Sequence, residues 1–137
     1  MSTTRSPELR AYAIAIVLFV ILHFLLLALG NSVAATATGV ETWMPYINVL
    51  AYLLYILTGF VAGALARRRH VLNGMITGFL AAATAVLLFG AAPGFNLGTV
   101  VLLLNGVIFG GMGGACSMML GQEKVTADRS DSSGPAN

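Results

Sequence analysis

His23 is the one histidine inside an apolar stretch of this 137-residue chain. Ionisable side chains in such stretches are rare and mark functional positions by default. An imidazole there has the chemistry to hold or relay a proton, or to hydrogen-bond a small solute. Four other polar side chains fall at a similar depth when depth is counted from the outer ends of the apolar stretches. At 1.5 Å per residue His23 lies about 10 Å in, Tyr52 about 9 Å, Tyr55 about 13 Å, Thr84 about 9 Å and Asn105 about 12 Å. Each of four helices would thus deliver a polar group to one layer, suited to a small ligand, an ion or a proton. The blander reading is hydrogen-bonded glue between helices, which contributes only about 0.6 kcal/mol per contact on average.

The elements that must position these residues are apolar stretches at about 11–30, 46–66, 71–90 and 97–120. Each is close to the length needed to cross a hydrocarbon core of about 30 Å. Hydrophobic residues make up 58% of the chain and charged residues 9%, against about 25% charged in soluble domains. Only helices and closed barrels satisfy backbone polar groups in lipid, and the alternation of barrel strands is absent. The expected fold is therefore all-α: a four-helix transmembrane bundle, up-down-up-down.

All Lys and Arg residues lie in the first, third and fifth of the segments that flank these spans. Arg5 and Arg10 precede the first span, Arg67, Arg68 and Arg69 separate the second and third, and Lys124 and Arg129 follow the fourth. The positive-inside rule then predicts both termini in the cytoplasm. Residues 1–10 form a short lead whose Pro7 suits a first helical position, and 121–137 read as a disordered polar tail. Asn31–Pro45 reads as an external loop, with Trp43 and Tyr46 anchoring at the aromatic belt. The arginine triplet anchors topology and can touch anionic lipid. A cleaved signal peptide ending near Ala34 is the alternative for the first stretch, but its apolar run exceeds the usual h-region.

Glycines recur at four-residue spacing: Gly59 and Gly63, Gly74 and Gly78, then Gly106, Gly110 and Gly114. Small residues so spaced let helix backbones approach closely in lipid. They point to the second, third and fourth helices as a tight core, with the bulky first helix peripheral. On the second helix Asn48, Tyr52, Tyr55, Gly59, Ala62 and Ala66 form an inward stripe, and Leu50, Leu54, Leu57, Val61 and Leu65 a lipid-facing one.

Catalytic chemistry finds little support. No acidic residue falls within a span, there is no His-Glu metal motif, and Cys116 is the single cysteine. Neither a metal nor a cofactor is expected, and the modest positive charge sits beside a span rather than on a nucleic-acid face. Membrane-embedded carboxylates of the kind small multidrug transporters use are also missing.

The run Gly59-Phe60-Val61-Ala62-Gly63-Ala64-Leu65-Ala66-Arg67-Arg68-Arg69, followed by Leu72-Asn73-Gly74 and Gly78, resembles a pattern in small bacterial four-span membrane proteins of unknown function. It covers about residues 50–90. The resemblance implies a bacterial cytoplasmic membrane and carries no activity. The expected role is non-enzymatic, a structural or accessory protein surrounded by membrane lipids and associating through its Gly-rich helices with itself or a larger complex. The alternative is an oligomeric channel or small-solute transporter built on the layer around His23, with a holin-like pore as a variant.

Overall fold

The computed structural model describes residues 7–36, 39–66, 69–89 and 96–131. Among these it is all-helical: α1 (Pro7–Ala34), α2 (Gly39–Leu65), α3 (His70–Phe89) and α4 (Leu97–Asp131). Each helix contains a stretch long and apolar enough to cross a membrane, at Leu9–Ala34, Pro45–Leu65, His70–Leu88 and Leu97–Gly121.

Local chemistry sets the ends. Pro7 opens α1, where its missing N–H is no loss. Asn96 caps α4: the Thr99 N–H donates to Asn96 Oδ1 at 3.0 Å, and the Asn96 carbonyl accepts from the Val100 N–H at 3.3 Å. Between α2 and α3, Arg69 takes φ 56°, the left-handed conformation that reverses the chain in a very short connection. Its carbonyl accepts the first bond of α3, from the Asn73 N–H at 2.9 Å. Arg67, Arg68 and the Pro93-Gly94 turn lie outside the described residues.

Two boundaries differ from the sequence expectation. Asn31–Pro45 is mostly helix rather than loop, since α1 continues to Ala34 and α2 begins at Gly39 with Pro45 inside it. Proline leaves one carbonyl of the preceding turn unpaired, and near a helix end water can serve that group. Likewise α4 continues to Asp131, through much of the segment read as a disordered tail. Extending an existing helix is far easier than nucleating one, and Gln122, Glu123, Lys124 and Ala127 are good helix formers. Residues 132–137 lie outside the described residues.

Helix α4 packs against both α2 and α3, while α1 packs on α2 and α3, its described Cα atoms staying more than 8 Å from those of α4. The two kinds of packing differ in distance. Where α4 meets its neighbours the backbones touch. A Cβ built on Gly59 would stand 2.6 Å from Gly110 Cα, and one on Gly110 would stand 2.8 Å from Gly78 Cα. Ordinary carbon contacts are about 3.5–4.0 Å, so no side chain fits at these positions. Helix α1 instead docks through side chains. A Cβ on Gly30 would meet only Ile47 Cγ2, at 4.0 Å.

A cluster of larger residues seats α1. Phe19 is fully buried and meets Leu26, Leu54 and Tyr55 beside Ala81, Ala82 and Ala85 of α3. Leu54 therefore corrects the lipid-facing assignment: it is only 9% exposed, because α1 covers that part of α2. Tyr52 and Asn48 depart in the other direction, both being exposed.

Candidate functional site

Of the five residues of the expected polar layer, His23 and Tyr55 meet through a shared neighbour. His23 is half-buried on α1, and its ring stacks on Phe19 with centroids 5.2 Å apart. Phe19 in turn lies 5.3 Å from the ring of buried Tyr55. His23 and Tyr55 thus share a neighbour, with Phe19 packed on both. Tyr52 sits three residues before Tyr55 but is 40% exposed. It leans on Phe109 of α4, with centroids 5.0 Å apart. The Thr84 hydroxyl donates to the Leu80 carbonyl at 2.7 Å, within its own helix. Asn105 is half-buried on α4. The described Cα atoms of α1 stay more than 8 Å from those of α4, so common depth alone does not bring His23 and Asn105 together.

Polar order is concentrated nearer the α2–α3 turn. Tyr12 of α1 donates its phenol proton to Asn73 Oδ1 of α3 across the helix interface. Asn73 is buried, and its carbonyl accepts from the Thr77 hydroxyl at 2.7 Å. At the start of α3, His70 Nδ1 lies 2.6 Å from the Gly63 carbonyl. A carbonyl only accepts, so Nδ1 must carry the proton, and His70 caps the last turn of α2. Gly63 also faces α4, its absent Cβ being 3.0 Å from Gly114 Cα and 3.3 Å from the His70 carbonyl. The Ser117 hydroxyl donates to the Gly114 carbonyl at 2.7 Å. The ends of α2 and α3 and the lower half of α4 therefore close on one point, with the polar groups turned onto backbone.

Tyr12 escapes sequence reasoning, because a tyrosine close to the end of a span reads as an interfacial anchor. Its usable signal was Asn73. Both residues lie within a turn of a basic group, Arg10 and Arg69, and so at one depth. We expect Tyr12→Phe and Asn73→Ala to couple in a double-mutant cycle by roughly 0.6–1.7 kcal/mol. Unfolding titrations in bicelles measure this, and strict additivity would remove the bond from the account of α1 docking.

The remaining sequence-chosen positions are placed as follows. Trp43 is exposed and its ring lies tilted against Tyr46, centroids 5.8 Å apart, near the start of α2. Gly59, Gly63, Gly74, Gly78, Gly106, Gly110 and Gly114 all face backbone or short side chains of a neighbouring helix. Gly113 joins them, its missing Cβ standing 2.6 Å from the Phe60 nitrogen. Cys116 is exposed on α4. Among the described residues no three His, Cys, Asp or Glu side chains come together as metal ligands. No buried side-chain nitrogen or oxygen among them lacks a hydrogen-bond partner. The chain matches no protein-family model, no curated protein and no solved structure.

Proposed function

We propose that this chain is a small structural or accessory protein of the bacterial cytoplasmic membrane, non-enzymatic, associating with itself or with a larger membrane complex. The observation that carries this reading is the backbone-to-backbone seating of α4 between α2 and α3. Such packing makes a stiff three-helix unit in a solvent where packing and hydrogen bonds, not the hydrophobic effect, hold helices together. The buried hydroxyls of Thr58, Thr77 and Ser117 turn onto carbonyls of their own helices, which favours a scaffold over a wet path.

The register of the contacts supports an up-down-up-down arrangement. Gly59 and Gly63 meet Gly110 and Gly114 in ascending order, so α2 and α4 run together. Gly74 meets Gly110 and Gly114 while Gly78 meets Gly106, so α3 runs against them. Contacts of Phe19 with Tyr55 and Gly30 with Ile47 set α1 against α2. Combined with the positions of Arg5, Arg10, Arg67–Arg69, Lys124 and Arg129, this supports an orientation with both termini on the cytoplasmic side.

Because the glycine faces are filled within the chain, association falls to the outward face of Gly-rich α4. Leu104, Ile108 and Met112 are all exposed there. Native mass spectrometry after gentle extraction from the cell's own membrane tests this. The expected result is a reproducible complex, with itself or with another subunit, that Ile108→Trp weakens. A wild-type protein found only as a monomer would overturn the proposal.

A further inference from the structure

The Tyr12–Asn73 bond gathers positive charge at one end of the seam between α1 and α3. Arg10 stands two residues before Tyr12 on α1, and Arg69 four residues before Asn73 at the start of α3. At the helical rise these positions lie about 3 Å and 6 Å below the bond. One interhelical contact therefore brings two arginines to the same end of the seam, and both are exposed. The sequence around them is lopsided. Residues 1–10 and 67–69 contain Arg5, Arg10, Arg67, Arg68 and Arg69 against a single acid, Glu8.

The surface beside this mouth changes character within two turns. A shallow groove on α1 is lined by Leu9, Arg10 and Tyr12 at its charged end and by Ala13 and Ile16 above them. On α3, Ile76 and Leu80 are exposed above Asn73, on the same side of the helix. An occupant that suits both parts is negative at the arginine end and hydrocarbon beyond it. Charge also decides between a lipid and a protein helix. Cytoplasmic flanks of membrane helices carry an excess of Lys and Arg. A helix laid here in the same sense, a second copy of this chain included, brings like charge to the arginines. An anionic phospholipid brings the opposite sign, at the right depth and joined to apolar chains. The guanidinium fork of N–H donors matches two phosphate oxygens.

We infer that the arginine end of the α1–α3 seam is a site for one anionic phospholipid of the adjoining leaflet. Its phosphate lies against Arg10 and Arg69, and an acyl chain lies beside Ala13 and Ile16. The Tyr12–Asn73 bond keeps the two arginines on one seam, so the site exists only while α1 is docked on α3. The inference stands or falls separately from any accessory role, because a scaffold without partners would bind the same lipid.

The test is native mass spectrometry of the full chain in detergent micelles into which dioleoyl phosphatidylglycerol or dioleoyl phosphatidylcholine is titrated. The two lipids share their chains and differ in headgroup charge. The wild type should bind one phosphatidylglycerol about tenfold more tightly than phosphatidylcholine, given about 1 kcal/mol per basic residue near an anionic surface. In the double variant Arg10→Gln, Arg69→Gln the preference should fall to about twofold or less. Lys124→Gln with Arg129→Gln removes the same charge from α4 and should keep the full preference. Arg10→Gln alone replaces the double variant if that chain loses its helical circular dichroism, and should show an intermediate preference. Equal preference in the arginine variants and the α4 control, no preference in the wild type, or a second protein chain held at this seam in place of lipid would each overturn the assignment.

Discussion

Gly110→Val is expected to release α4 from the bundle. Gly110 lies where three helices meet. A Cβ on Gly59 of α2 would stand 2.6 Å from its Cα, and its own Cβ would stand 2.8 Å from Gly78 Cα of α3. A methyl group needs about 3.5–4.0 Å, so α3 would have to retreat by about 1 Å, taking Gly74 and Gly78 out of contact together. The obstacle is backbone, which cannot rotate away as a side chain would. Overpacking a soluble core costs about 1–3 kcal/mol, sometimes more. Here a branched residue meets the backbone of α3, and the close contact it destroys is itself what holds helices together in lipid. We expect a loss of about 3 kcal/mol or more, read by steric trapping or by denaturing-detergent titration. Gly121→Val is the matched control: nothing lies within 4 Å of its Cβ, and a change within about 0.5 kcal/mol is expected. Wild-type stability for Gly110→Val would mean that the three helices do not meet as described.

Phe19→Ala should detach α1 while leaving the other three helices together. Phe19 is 0% exposed and touches His23 on its own helix, Tyr55 on α2 and the alanine wall of α3. Truncating a buried phenylalanine costs about 3–5 kcal/mol in a soluble core. In lipid the transfer part of that cost shrinks, because the exposed surface is still met by hydrocarbon, and mainly the lost dispersion contacts remain. About 2 kcal/mol is the expected effect. It should appear as an early unfolding step confined to α1, followed by hydrogen exchange. Ile21→Ala, on the 55% exposed face of the same helix, should leave that step in place. A single cooperative transition for Phe19→Ala would show α1 to be integral to the core.

Hydropathy made four helices legible, because twenty apolar residues have few other fates. Their ends were less so. Pro45 and the Ser and Thr residues around Asn31 resemble loop chemistry, yet helices extend through them once nucleated. The small residues of α2, α3 and α4 could be read as contact faces, but not which glycine meets which, since register depends on all three helices at once. The polar layer shows a related limit. Counting along a helix gives depth alone, whereas contact also requires close helices, and the described Cα atoms of α1 and α4 stay more than 8 Å apart. Leu54 reads as lipid-facing because a bulky residue is acceptable both to lipid and to the side of another helix. The role of Tyr12 is not legible locally, because its partner lies sixty-one residues away.

The seating of α4 bears on how the protein comes to be made. Helices leave the ribosome in order, and α2 and α3 join in a very short turn, so they pair before α4 exists. For that interval the hairpin carries bare strips of backbone along Gly59–Gly63 and Gly74–Gly78, with no side chains to shield them. Nothing in α1 fills the gap, since it docks elsewhere. The fourth helix must enter an already formed cleft from the side, beginning wherever its own glycines reach register. Biogenesis then contains a waiting step whose length is the time needed to synthesise and insert α4. A quality-control protease that senses loosely joined membrane helices would meet its target in that interval and lose it as α4 closes.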